Sequence, residues 1–157
     1  MRASVLQLKQ LVFQRISVED AKPLDSVVSG EAVDFDFDGV NFRLIHEVGT
    51  INVDGKEDPR GFIVTLGIGV DNTEGKPSPY KIDILATGIV EISEKITPDK
   101  RTNLVAINGA SLVYGAIREL VTTLTSRCIP GPMILPTMDF RDSIEQSTQD
   151  ATTKSPD

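Results

Sequence analysis

Few residues in this chain have the chemistry of a catalyst. There is one histidine and one cysteine, so a metal site of imidazole and thiolate lacks the ligands to build it. His46 falls at an apolar position of an alternating run, where a packed, hydrogen-bonded imidazole is expected. A nucleophile relay would need His46 to meet Cys128 or a serine within a supporting motif, and none flanks them. Asp34, Asp36 and Asp38 resemble a calcium loop only superficially. They lack the glycine and terminal glutamate that such a loop places at fixed spacing. Alternation puts the three carboxylates on one strand face, which reads as a solvated surface. Gly67-Ile68-Gly69 lies inside a strand pattern and opens no helix, so it is no dinucleotide fingerprint. Glycines on one strand face more often let another element approach closely.

The elements that position these residues follow from periodicity. Leu6, Leu8, Val12, Ile16 and Val18 alternate with Gln7, Lys9, Arg15, Ser17 and Glu19, which predicts a long first strand. Leu11 and Phe13 fall on its other face, so the strand is bulged or buried on both sides. Residues 20–32, with Pro23 and Gly30, read as a loop. Val33, Phe35 and Phe37 alternate with the three aspartates and lead into a second strand, Val40 to Val48. Asn52 to Pro59 is a turn cluster. Phe62 to Val70 and Tyr80 to Ile92 give the third and fourth strands, separated by a loop with Gly75, Pro77 and Pro79. Short polar links favour an antiparallel meander.

The period changes near Asn108. Leu112, Val113, Ala116, Ile117, Leu120, Val121 and Leu124 recur in i, i+4 rows, predicting an amphipathic helix with Asn108 as its N-cap. Pro130-Gly131-Pro132 ends it, and Met133-Ile134-Leu135-Pro136 follows as an apolar extended segment. From 141 to 157 the only large apolar residue is Ile144, which predicts a disordered polar tail. The reading is one α+β domain over residues 1–140: a four-stranded antiparallel sheet with a long helix packed on one face.

Composition narrows the function. The chain has 157 residues, 39% hydrophobic, 5% aromatic and no Trp, so Ile, Leu and Val must build the core. Its net charge is −7, and its 16 basic residues are scattered, which argues against a nucleic-acid partner. One cysteine excludes an intrachain disulfide. Gln7 and Lys9 interrupt the N-terminus too early for a signal peptide, and Phe62 to Val70 is too short to span a bilayer. A cytoplasmic protein with no stable membrane insertion is expected. One helix covers about half of a four-stranded sheet, so apolar surface should remain for a partner subunit or a ligand.

The stretch Asn108 to Phe140 resembles the core helix and following segment of the SecB family of export chaperones. The matching residues are Tyr114, Arg118-Glu119, Ser126-Arg127, Pro130, Met133-Ile134-Leu135 and Asp139-Phe140. Upstream, Arg15-Ile16-Ser17-Val18-Glu19 is similar to the family's first-strand pattern, and Ile82-Asp83-Ile84 with Gly88-Ile89-Val90 to its fourth. Cys128 stands where the family has glycine, and Arg15 where it often has Asp. The tail lacks a recognisable zinc-domain-binding sequence.

The resemblance implies an ATP-independent holdase without cofactors, assembled as a homotetramer, a dimer of dimers. It implies that unfolded preproteins bind in apolar grooves, here Val113, Tyr114, Ile117, Leu120, Leu124, Met133, Ile134 and Leu135. It also implies handover to the translocase ATPase SecA through acidic residues of the outer sheet face, here Glu19 and Asp83. A dedicated SecB-like chaperone of one client, such as an antitoxin, is the alternative. A small oligomeric α+β enzyme, for instance a hotdog-type thioesterase, is the remote one, because its helix comes early and here the helix follows all four strands.

Overall fold

The computed structural model describes residues 2–21, 35–52 and 58–141. The expected tail from 142 onwards, the loop over 22–34 and the turn residues 53–57 lie outside them. Four strands form, β1 (Leu6–Asp20), β2 (Arg43–Ile51), β3 (Gly61–Val70) and β4 (Tyr80–Ile92), followed by α1 (Pro98–Leu104) and α2 (Ala110–Thr125). The sheet is antiparallel in the order β1-β4-β3-β2. β2, β3 and β4 make the expected meander. β1 does not join its sequence neighbour: the long connection over 21–42 lets it cross to the far edge, beside β4. There its apolar row meets Ile82, Ile84 and Ala86 of the most regularly alternating strand.

The two-faced apolarity of β1 has a simple cause. Its register against β4 shifts between Leu8 and Gln10 and again between Phe13 and Arg15, leaving Lys9 and Gln14 as extra residues. Each bulge reverses the side on which the following residues point. Leu6, Leu8, Leu11, Phe13, Ile16 and Val18 therefore lie opposite Ile92, Val90, Gly88, Ala86, Ile84 and Ile82, all buried on the helix side. Directly paired residues of an antiparallel ladder share a face, so the apolar row is one row. β2 lies three residues later than its pattern suggests: it runs from Arg43 to Ile51, and Val40 makes an isolated bridge to Gly75.

The helix begins ten residues before the expected Asn108 cap. Thr97 precedes Pro98, whose missing N–H costs nothing at a first helical turn. Arg101 pins that turn to the start of β3. Its Nε donates to the Ile96 carbonyl at 2.7 Å, and Nη1 donates to the Pro59 carbonyl at 3.2 Å and to the Asp58 carboxylate. Between α1 and α2 one wide π turn, Val105–Gly109, keeps the helix continuous. Asn108 sits inside it, with Nδ2 donating to the Leu104 carbonyl at 3.1 Å. Pro98–Thr125 is long and apolar enough by composition to cross a bilayer. Here its apolar face lies on the sheet instead, with Val105, Val113, Ile117 and Val121 fully buried. Glycine permits the close approach: a Cβ on Gly109 would stand 2.9 Å from Val64 Cγ2, and one on Gly88 2.8 Å from Val113 Cγ2.

Candidate functional site

α2 presents three faces, and the described residues cover only two. Ala110, Val113, Ile117 and Val121 rest on the sheet. Tyr114, Arg118 and Thr122, about 100° round the axis, are sealed by the extended segment after the helix. Tyr114 Oη donates to the Pro136 carbonyl at 2.6 Å, Arg118 Nε to the Leu135 carbonyl at 2.9 Å, and Thr122 Oγ1 to the Met133 carbonyl at 3.2 Å. At the N-terminal end Phe140 closes this seam against Tyr114 (ring centroids 5.6 Å) and His46 of β2 (5.8 Å). The sealed flank therefore faces β2. The opposite flank, Leu112, Ala116, Leu120 and Leu124, faces β1, and Leu112 and Leu124 are 42% and 38% exposed. On the strand below, Leu8 and Ile16 are exposed and Leu11, Phe13 and Val18 half-buried. Among the described residues this apolar surface between α2 and β1 stays partly exposed.

The residues expected to line a groove divide accordingly. Val113, Tyr114, Ile117, Met133 and Leu135 are buried core, so within one chain they support a surface without forming it. Leu120 is half-buried, Leu124 lies on the open flank, and Ile134 is 63% exposed beside the sealed flank. Sequence reading missed a second apolar surface. Phe35 and Phe37 meet edge to face (5.0 Å), and Phe37 stacks obliquely on Phe42 (5.7 Å). Lys76 locks this loop, with Nζ 4.9 Å over the Phe35 ring and 2.6 Å from the Asp36 carbonyl. The Asp38 N–H and Lys76 together hold the Asp36 carboxyl below the usual carboxylate range. All three rings remain half-exposed, next to exposed Leu44. The signal was the phenylalanine at every second position between the aspartates.

The outer sheet face places the expected docking residues among cations. Asp83 receives Arg15 Nε at 2.8 Å, and Glu19, which accepts from Ser17 Oγ, lies opposite Lys81. Glu91 likewise pairs with Lys9 at 3.0 Å and Arg60 at 3.7 Å. The Gly67 and Gly69 gaps on this face are filled from β2, by Ile45 and Arg43.

The titratable groups point to packing. Burial pushes the His46 imidazole below its ordinary value, opposed by a hydrogen bond with the Ala106 backbone. Burial raises the Tyr114 and Tyr80 phenols to about 12, and Tyr80 Oη donates to the Gly131 carbonyl at 2.6 Å. Cys128 is half-buried, its thiol 3.4 Å from the Leu124 carbonyl. Among the described residues no group of three His, Cys, Asp or Glu could hold a metal.

No protein-family model matches the chain, and neither does any curated protein. Solved structures do. A SecB-like chaperone of Mycobacterium tuberculosis, in complex with a ChAD peptide from an antitoxin, matches with TM-score 0.50 at 17% identity, over 85% of this chain and 90% of that one. The fold is SecB-like. A protein of unknown function from Streptococcus agalactiae shares it, with TM-score 0.50 and 13% identity over 87% of this chain and all of that one. The SecB-like fold accounts for the four-stranded antiparallel sheet with one long helix.

Proposed function

We propose that this protein is a cytoplasmic, ATP-independent chaperone that holds unfolded polypeptides. One observation carries the reading: a chain of net charge −7 leaves two apolar surfaces open on the helix side of a SecB-like fold. The Phe35, Phe37, Phe42, Leu44 and Ile134 surface offers half-exposed rings and aliphatic groups, which bind apolar segments without selecting one sequence. The surface between β1 and α2 has the character of a subunit contact, and its burial would assemble the homotetramer, a dimer of dimers. Weak binding repeated over the copies raises avidity. Binding of this kind requires no reacting group, and the chain is read as a non-enzyme. The test is dilution of guanidine-unfolded citrate synthase into buffer containing the chaperone, without nucleotide, followed by light scattering. Aggregation should fall in proportion to chaperone added, and Phe42→Asp with Ile134→Asp should abolish the protection. Undiminished aggregation with the parent protein would overturn the proposal.

A second reading concerns the partner. Handover to SecA would need an acidic outer face at Glu19 and Asp83, and the Arg15–Asp83 ion pair weakens that field. This favours a dedicated chaperone of one client, such as an antitoxin, over a general export factor. Arg15→Asp discriminates: SecA binding that appears or tightens, with the gain shrinking as salt rises, returns export to first place. No SecA binding in either form leaves the dedicated client ahead.

A further inference from the structure

We infer that the outer face of the sheet, turned away from the helix, is a second contact between copies of this chain, with two sheets packing face to face. The inference goes beyond the chaperone reading, which concerns the helix side, and does not depend on it.

The register fixes what this face carries. Val12, Thr87 and Thr65 stand in one row across the strands, Ile89 and Ile63 in the next, and Leu85, Gly67 and Ile45 on the other side. Among the described residues nothing covers this band: Val12 is 45%, Ile45 43% and Ile63 38% exposed, with Leu85 and Ile89 half-buried. The Thr65 and Thr87 hydroxyls bond each other at 3.0 Å, which lowers the cost of taking them out of water. β3 otherwise brings only glycine to this face, at 61, 67 and 69, so no further side chain of that central strand rises above the band. Contiguous exposed apolar surface of this kind marks an interaction site.

Charge selects the partner. Lys9 lies 3.0 Å from Glu91, Arg15 2.8 Å from Asp83, Arg43 3.7 Å from Asp71 and Arg60 3.7 Å from Glu91. Lys81 stands opposite Glu19. The face is thus neutralised in pairs on a chain of net charge −7, and a basic partner meets no acidic field there. In a two-fold contact a surface meets its own image. A face of one sign repels itself, whereas a paired one does not. The fitting occupant is a second copy.

Size sets the strength. Four strands about 4.8 Å apart, over about ten residues rising about 3.3 Å each, offer roughly 600 Å² per copy. Two copies would bury about 1,200 Å², the lower bound of specific interfaces. Such a contact is reversible and appears above micromolar concentration. It lies on the opposite side of the sheet from the helix-side contact, so both can be made at once and assemblies stack as concentration rises.

Sedimentation equilibrium of the full chain carrying Leu112→Asp and Leu124→Asp isolates this contact. The weight-average mass should rise up to twofold between about 10 and about 500 μM. Adding Ile63→Lys should hold it at one chain, with circular dichroism and citrate synthase protection unchanged by Ile63→Lys in the parent. Raising salt should preserve or strengthen the association, because the ion pairs are made within each chain and only the surplus negative charge is screened. If the double variant fails to fold, the parent serves: its growth in mass over the same range should vanish with Ile63→Lys. A mass that stays constant, or growth that Ile63→Lys leaves unchanged, overturns the inference. So does a decalysine peptide that shifts the Thr65 and Thr87 amide signals of a chain that does not self-associate, which would assign the face to a basic partner.

Discussion

The two flanks of α2 are made of different residues and meet opposite fates. On the β2 side Tyr114, Arg118 and Thr122 each give a hydrogen bond to a carbonyl of the segment that follows the helix. On the β1 side no described segment covers Leu112, Ala116, Leu120 and Leu124, and they are the more apolar set. A fold governed by monomer stability alone would cover the aliphatic flank first. Polar groups with long reach secure the strap here, and the aliphatic groups stay available to another chain.

That contrast can be broken at several points. The largest effect belongs under the strap: Leu135→Ala removes a fully buried side chain and should cost about 2–5 kcal/mol. Leu124→Ala on the open flank should stay within about 0.5 kcal/mol for the isolated chain. Urea unfolding measures both, and equal losses would erase the distinction between the flanks. Assembly comes next. Leu112→Asp with Leu124→Asp should reduce a multimer to single chains by light scattering, with the circular dichroism retained. A parent protein already monomeric at micromolar concentration would remove the subunit-contact reading.

A smaller loss is expected from Tyr114→Phe, which deletes the bond to the Pro136 carbonyl and should cost about 1 kcal/mol. The smallest effect is on pH dependence. His46 is held below its ordinary value near 6.5 by burial, so the unfolded chain takes up a proton more readily than the folded one. Its share of stability is complete above about pH 6.5 and is lost as pH falls through the lower folded value. A His46→Phe variant should unfold with a flatter pH profile between 7 and 5. An unchanged profile would mean that the seam with Phe140 does not depend on a neutral imidazole.

Much of the fold was legible in the residues. Phe62 to Val70 and Tyr80 to Ile92 were legible because β3 and β4 are central and keep every second residue buried against the helix. β1 was legible as a strand but not as a single apolar row, because each bulge inverts parity and the sequence does not mark where. Its place beside β4 depends on a long connection whose path no local pattern fixes. The helix start was misread because Val105 and Ala110, both facing the sheet, stand five residues apart where α-helical spacing would give three or four. The Thr97-Pro98-Asp99 opening was present and is an ordinary start signal. The groove was only partly legible. An i, i+4 stripe shows which residues are apolar, whereas the neighbouring segment decides which of them stay outside, and that separated Ile134 from Leu135.

The wide π turn makes this protein unequally tolerant of changes in chain length. It holds one more residue than an uninterrupted α-helix would need over the same rise. A one-residue deletion within 105–109 could be absorbed by closing the turn into regular helix, with α1 still over the sheet and Arg101 still reaching Pro59. The same deletion within 110–125 would swing every later side chain by about 100°. It would carry the strap-binding residues away from their carbonyls and turn the aliphatic ridge to a different heading. Length variation among chains of this architecture should therefore gather at the turn and be scarce along α2.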